Sequence, residues 1–366
     1  IYFCFVSILF PSIVKIPQFN KIKGDKMLKQ IATLTIASAI SAFSLNAADK
    51  IMGQGATFPL PVYKEWSKLY YKATSNQVTY NGGGSGKGIS AITDRNGEFG
   101  GTDSPLKNDE LREKKLLQFP AIIGSVVLAY NIEGIKDHEL KLSAAAVAGI
   151  FSGKITKWND EIIKKDNANL KLPDALITPV VRSDSSGTTF NFTSYLAKAD
   201  ESWAKEYGAN KTINWGAKVT PAAGNPLVAS TIKQVPNSIG YIEYAYKLST
   251  GLNAATLQTK DGDWAEPTPQ NFAKAAANSN FKIEENFYDV LAYSSGKGSY
   301  PIVAATFILI PNDKIDDGKK VTKFFSWAFS DKDALEAAKK LGYEPLPKVT
   351  TDMIYDYWTK YAVNPK

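Results

Sequence analysis

Apolar and polar positions follow two periods along the chain, and the two alternate. Pro59–Thr74 places Val62, Trp66, Leu69 and Tyr70 at helical spacing. Gln77–Tyr80 reads as a strand that ends in a Gly-rich turn, and Ser90–Thr93 continues helically from that turn. Ala121–Tyr130 (AIIGSVVLAY) and Ile302–Ile310 (IVAATFILI) are unbroken apolar runs of strand length, which predicts two central strands. Leu142–Phe151 is an alanine-rich helix, and Leu176–Arg182 is a strand followed by the turn SDSSG. Helices are expected from about Thr188 to Ala199 and over Asn225–Gln234, with Ile239–Tyr246 (IGYIEYAY) strand-like. Lys319–Phe329, Asp331–Leu341 and Thr351–Tyr361 read as closing helices. Asp261–Asn286 is the least patterned stretch and reads as surface loop with short helices. Strand and helix alternating in this way predict α/β layers.

Length and composition sharpen this picture. The 366 residues are long for one core and suit two domains. Hydrophobic residues at 44% describe an ordinary globular chain. One Cys and one His leave no material for a His-rich zinc site, a Cys4 site or a Cys–His dyad with a spare His. The only histidine, His138, lies in the charged run Lys136–Glu139 and is expected to be a solvated surface residue, so a serine hydrolase lacks its base. The formal net charge of +7 hints at an anionic partner.

The first 47 residues read as something other than the folded protein. From Met27, MLKQIATLTIASAISAFSLNA has a basic start at Lys29, an apolar stretch Ile31–Leu45 and the small residue Ala47, the pattern of a secretory signal cleaved after Ala47. Residues 1–26 read as an untranslated upstream segment, because Lys23–Met27 can be encoded by a purine-rich ribosome-binding sequence and a start codon. Removing residues 1–47 from 366 leaves a mature chain of 319. Their five Lys and one Asp take the charge from +7 to +3, and Cys4, the only cysteine, leaves with them. Without Cys near the cleavage position there is no lipid attachment point, and the expected location is the periplasm.

Three polar, Gly-rich turns stand before helices: Gly53–Pro59 (GQGATFP), Tyr80–Gly88 (YNGGGSGKG) and Val181–Phe190 (VRSDSSGTTF). A helix N-terminus exposes unpaired N–H groups and carries partial positive charge, so it holds anions. A single such turn is ordinarily a capped helix. Three in one chain, one of them with Arg182, point to an anion site. Known phosphate motifs do not fit, since Gly86-Lys87 is followed by Gly88 and Asn81 stands at the first Gly of a Walker A loop. Gly86–Ala91 matches G-x-G-x-x-A, a weak dinucleotide fingerprint in a secreted chain.

At these residues the chain resembles a known family. GQGATFPLPVY, FGGTDSPL, FSGKITKWND, VVRSDSSGTTFNFTSYL, IGYIEYAY and TFILI are similar to the periplasmic phosphate-binding protein of the high-affinity phosphate ABC importer, from about Lys50 to about Ala362. The resemblance implies a two-lobed periplasmic binding protein of type II-like α/β fold, each lobe a mixed sheet flanked by helices, closing on one phosphate ion by a hinge. It implies lobe I at 48–124 plus 302–366, lobe II at 125–301, and crossings near Ile123 and Pro301. It implies no catalysis, no cofactor and no metal. The implied partners are inorganic phosphate and an inner-membrane ABC permease, with no nucleic acid and a monomeric receptor.

Residue by residue, the resemblance implies contacts from the Thr57 hydroxyl and N–H, the Phe58 N–H, Ser85, Asp103, Arg182, Ser186, Gly187 and Thr188. Asp184 would orient Arg182 rather than touch the ligand. Thr57, Ser85 and Asp103 would come from one lobe, and Arg182 and Ser186–Thr188 from the other. Two departures stand out: Ser185 replaces a frequent Gly, and Gly86 stands where some members have a second Ser. Asp103, when ionised, only accepts hydrogen bonds, which favours a protonated oxyanion over sulfate. Arsenate also keeps a proton, so another tetrahedral oxyanion stays open, as does a secreted phosphatase, although no obvious metal cluster supplies one. Lys319-Lys320 and Lys339-Lys340 read as solvated helix faces. Trp66, Trp158 and Trp327 read as packing residues.

Overall fold

The computed structural model describes residues 48–365. The expected upstream segment 1–26, the signal segment 27–47 and its cleavage after Ala47 lie outside the described residues. Among the described residues, no helix is long and apolar enough to cross a membrane.

A single nine-stranded mixed sheet runs through the molecule. Its strands are β1 (Lys50–Gly55), β2 (Gln77–Gly82), β3 (Phe99–Thr102), β4 (Leu116–Asn131), β6 (Thr178–Arg182), β7 (Thr220–Ala222), β8 (Ser238–Glu243), β9 (Asn253–Ala254) and β12 (Val303–Pro311). The short β5 (Lys141–Leu142), β10 (Thr256–Gln258) and β11 (Trp264–Ala265) form a second sheet. The large sheet has the order β2-β1-β3-β12-β4-β8-β6-β7, with β9 also on β4. β1, β2 and β3 pair in parallel, as do β6, β7 and β8. The antiparallel pair β12–β4 joins these two blocks. The two apolar runs expected to be central are therefore neighbours in the middle of the sheet.

β4 serves both blocks in turn. Leu116–Ser125 pairs with β12, and Val126–Asn131 pairs with β8. The strand begins five residues before the predicted Ala121 because Pro120 is accommodated rather than terminating it. The register slips between Thr306 and Phe307, so Ala121 is an extra residue beside the proline that lacks an N–H. A second difference lies in IGYIEYAY: the strand stops at Glu243, and Tyr244–Thr250 is a helix. The Glu243 carboxyl oxygen Oε2 accepts from Ala245 N at 2.8 Å and so caps that helix, a role that strand periodicity does not reveal. The helix after β2 starts at Ser85, earlier than the expected helical stretch, behind Gly84 at φ +93°.

Helices cover both faces, and aromatic rings fill the space beneath them. Phe325 on the helix Ile315–Ser330 meets the rings of Tyr63, Phe99, Phe119 and Phe324 at centroid distances of 4.9–5.8 Å. Trp66 and Trp158 are buried and Trp327 packs on the same core, as expected. Asp261–Asn286 contains β11, the helix Pro269–Ala276 and one 3-10 turn. His138 is less solvated than expected, with its side chain about one quarter exposed and each ring nitrogen 3.4 Å from a carboxylate oxygen, of Asp137 or Glu266.

Truncation of Phe325, which is fully buried, removes the centre of this aromatic packing. Phe325→Ala is expected to cost about 3–5 kcal/mol. Urea unfolding checks it: the midpoint falls, with the slope m unchanged.

Candidate functional site

Five segments converge at the carboxyl ends of parallel strands. The loop after β1 leads to the helix Leu60–Thr74, and the turn after β2 leads to Ser85–Thr93. Asp103 follows β3 directly. The turn after β6 leads to Gly187–Ala199, and β7 leads to Gly224–Gln234. Strand ends of this kind are the ligand side of an α/β sheet, and helix N-termini add partial positive charge. All eight residues expected to contact the ligand, Thr57, Phe58, Ser85, Asp103, Arg182, Ser186, Gly187 and Thr188, are buried there.

Three tyrosines shape the first loop. Tyr80, Tyr246 and Tyr343 donate their hydroxyls to the carbonyls of Ala56, Thr57 and Phe58, at 2.9, 2.6 and 2.6 Å. In a planar trans peptide, the C=O and the following N–H point opposite ways. Holding the Ala56 and Thr57 carbonyls on tyrosines therefore turns the N–H groups of Thr57 and Phe58 away from them. Neither N–H meets a protein acceptor among the described residues.

The hydroxyls are saturated on their acceptor side. Thr57 Oγ1 accepts from Asn225 N and from Asn225 Nδ2, both at 3.0 Å. Thr188 Oγ1 accepts from Arg182 Nη1 and from Asn225 Nδ2, both at 3.1 Å. A hydroxyl has two lone pairs and one proton, so both oxygens are left with an O–H to donate. Neither donates to a protein group among the described residues. Ser85 Oγ likewise accepts from Asp103 N and Gly187 N, both at 3.1 Å. The Gly187 N–H is thus engaged by Ser85. A Cβ on Gly187 would lie 2.4 Å from Ser85 Oγ and 2.7 Å from Asp103 Cβ, so only glycine allows this approach. Ser186 Oγ accepts from Thr189 N at 3.0 Å and caps its helix, while keeping its own proton.

Charge in the site is sparse. The Arg182 side chain is 1% exposed. Its Nε donates to Asp184 Oδ1 at 2.7 Å and its Nη2 to Asp184 Oδ2 at 2.5 Å. Asp184 thus holds the Arg182 guanidinium by two hydrogen bonds. Burial pushes the Asp184 carboxyl up, but the bonds and charge of Arg182 outweigh it and hold the group below the usual range. Asp103 differs. Burial raises it to about 7, against the hydrogen bond from Thr306 Oγ1 at 2.7 Å and the charge of Arg182.

Asn225, Thr306 and Glu243 escaped the sequence reading. Asn225 ties Thr57 to Thr188 through one side-chain nitrogen and accepts Glu243 N at 2.9 Å. The only signal was its place at a helix start, in Gly224-Asn225-Pro226. Thr306 sits inside an apolar strand, where a single Thr carries no signal. Glu243 is fully buried beneath the tyrosine-held loop, and its Oε1 has no hydrogen-bond partner. Burial first, and the nearby charge of Asp103, push its carboxyl well above the usual range.

A carboxyl that binds its proton more tightly when folded makes the fold less stable as pH rises above its unfolded value, here 4.5, until the folded pKa is reached. Glu243→Gln keeps the neutral shape and removes that dependence. The variant is expected to gain on the wild type in melting temperature as pH rises from about 4.5 toward 9. A constant difference across that range would mean that Glu243 is ionised when folded.

A profile of the PBP superfamily domain matches residues 41–332. The phosphate-binding protein PstS of Pasteurella multocida is 40% identical over 332 residues, spanning 89% of this chain and 94% of that one. The PstS of Haemophilus influenzae is 40% identical over 317 residues, with 85% and 93% covered. Among solved structures, a high-affinity periplasmic phosphate-binding protein with bound phosphate superposes with a TM-score of 0.68 at 19% identity, over 84% of this chain and 93% of that one. The phosphate-binding protein of Stenotrophomonas maltophilia gives 0.61 at 21% identity, over 84% and 93%. These two likenesses establish a shared fold, that of a two-lobed periplasmic binding protein. The chain belongs to the PBP superfamily and, within it, to the family of the phosphate-binding proteins PstS.

Proposed function

We propose that the protein captures inorganic phosphate between two lobes and delivers it to an ABC permease. The observation that carries this reading is the pair of buried hydroxyls, on Thr57 and Thr188, whose lone pairs are filled and whose protons face the site. Such a set accepts nothing and donates to an anion. The N–H groups of Thr57 and Phe58, the Ser186 hydroxyl and the Arg182 guanidinium complete the donor ring. Kinship with PstS proteins supports phosphate as that anion.

Asp103 supplies the selectivity. It is the acceptor in a ring of donors, and it calls for a P–O–H opposite. Phosphate near neutral pH carries one, whereas sulfate would face the ionised carboxylate lone pair to lone pair. Arsenate keeps a proton as phosphate does, and the site gives no reason to reject it.

The lobes in this reading are 48–124 plus 302–366 and 125–301. The hinge lies where β4 changes partner between Ser125 and Val126, beside Ile302, whose carbonyl accepts Val126 N at 2.8 Å. Hydrogen bonds already cross between the two parts, from Gly187 to Ser85, from Asn225 to Thr57 and from Asn191 Nδ2 to the Asp103 carbonyl. Closure and ligand binding thus use the same residues. The receptor works as a secreted periplasmic monomer that turns nothing over. Relatives named as binding proteins support the absence of catalysis. Turnover of a chromogenic phosphate ester would contradict it.

The selectivity account has a direct test. Asp103→Asn offers N–H donors to a deprotonated oxygen, so sulfate is expected to bind about 5- to 150-fold more tightly than to the wild type. Competition calorimetry reads the change. Continued exclusion of sulfate by the variant would remove Asp103 as the discriminating group.

A further inference from the structure

Gly86 and Ser185, which belong to two different turns of the site, touch each other. Gly86, at the start of the helix Ser85–Thr93, donates its N–H to the Ser185 carbonyl at 3.0 Å. A Cβ built on Gly86 would stand 2.4 Å from Ser185 Oγ and 2.5 Å from Ser185 Cβ. The hydroxyl oxygen can rotate away from such an atom, but the Cβ is fixed to the backbone and cannot. Two residues earlier, a Cβ on Gly84 would lie 2.2 Å from Asp184 Oδ2 and 2.9 Å from the Ser185 carbonyl. Two backbone segments from opposite parts of the fold are therefore pressed together with a side chain on one of them only. Both Gly86 and Ser185 are half-buried, so the contact lies at the rim of the site and not on its floor.

The reason for glycine differs between the two positions. Gly84 has φ +93°, where other residues are strained. Gly86 is not among the glycines with positive φ, so its helical backbone suits any residue. Alanine there would favour the helix by roughly 1 kcal/mol. What excludes a side chain at Gly86 is only the space taken by Ser185.

We propose that Gly86 and Ser185 form a steric latch that sets how closely the two lobes shut over the bound anion. The latch is positional and touches no ligand atom. It rests on the reading that the lobes close on phosphate. With the rim contact made, the N–H of Gly86 is satisfied, and the adjacent bond from Gly187 N to Ser85 Oγ forms at 3.1 Å. A wedge at Gly86 separates these segments and opens the site to water, which weakens every charge-assisted hydrogen bond within. The size rule is reciprocal: the space holds one side chain no larger than serine, at one of the two positions and not at both.

Four proteins test this: the wild type, Gly86→Ala, Ser185→Gly and the double variant, each titrated with inorganic phosphate by calorimetry and followed by stopped-flow release. Gly86→Ala is expected to bind phosphate about tenfold or more weakly, chiefly through faster release. The double variant is expected to recover most of that loss, because the space is returned. Losses that simply add, or wild-type affinity in Gly86→Ala, overturn the latch. Should that variant not fold, Ser185→Val places the wedge from the other side and is expected to lower affinity in the same way, and undiminished affinity there overturns the proposal. A wild type that binds no phosphate refutes the function instead, so the two failures are separable.

Discussion

The proposed anion site has one buried positive side chain, Arg182, and the arrangement around it follows from that shortage of charge. Arg182 donates from Nε and Nη2 to its own partner Asp184, so attraction between full charges is not the main device. Neutral dipoles replace it: N–H groups at helix starts and hydroxyl protons with nowhere else to go. A neutral donor is useful only if it is free and pointed correctly. That requires neighbours whose sole task is to fill the acceptor side of each hydroxyl. Asn225 does this for Thr57 and Thr188 together, and the backbone of Asp103 and Gly187 does it for Ser85.

The same demand explains the three tyrosines behind the first loop. Their hydroxyls hold consecutive carbonyls of Ala56, Thr57 and Phe58, and they come from β2, from the helix after β8 and from the segment before the last helix. Glu243 lies among them, buried at the end of the strand that pairs with the second half of β4. Loop geometry, helix capping and the partner exchange of the longest strand thus meet within one small volume. Rigidity there fixes the donors, and the exchange of partners along β4 lies where the proposed hinge falls.

Much of this was legible in the sequence, and the limits have physical causes. Glycine-rich turns before helices announce themselves, because Gly, Ser and Thr are needed where backbone must approach a ligand and a helix must be capped. The long apolar runs likewise announce the central strands. Pro120 shortened one of them on paper, since a bulge that accommodates a proline leaves no mark in periodicity. Glu243 reads as a strand residue until its side chain is seen capping a helix. Asn225 and Thr306 were invisible for a different reason. Each matters through partners more than eighty residues away in sequence, and one polar residue in an apolar run carries no statement of what it faces. The net charge pointed toward an anion for the wrong reason, because surface lysines such as Lys320 and Lys340 pair with acids on their own helices.

The central claim is that one proton, shared between Asp103 and the ligand, decides which anion stays. Burial raises the Asp103 carboxyl to about 7, so its own protonation should imitate the missing proton of sulfate. The measurement is competition of sulfate against phosphate on the wild-type protein as a function of pH. Sulfate is expected to be excluded at about pH 8.5 and to compete increasingly as pH falls through 7 toward about 5.5, because a protonated Asp103 can donate to it. Sulfate competition that is the same at both ends of that range would contradict the account.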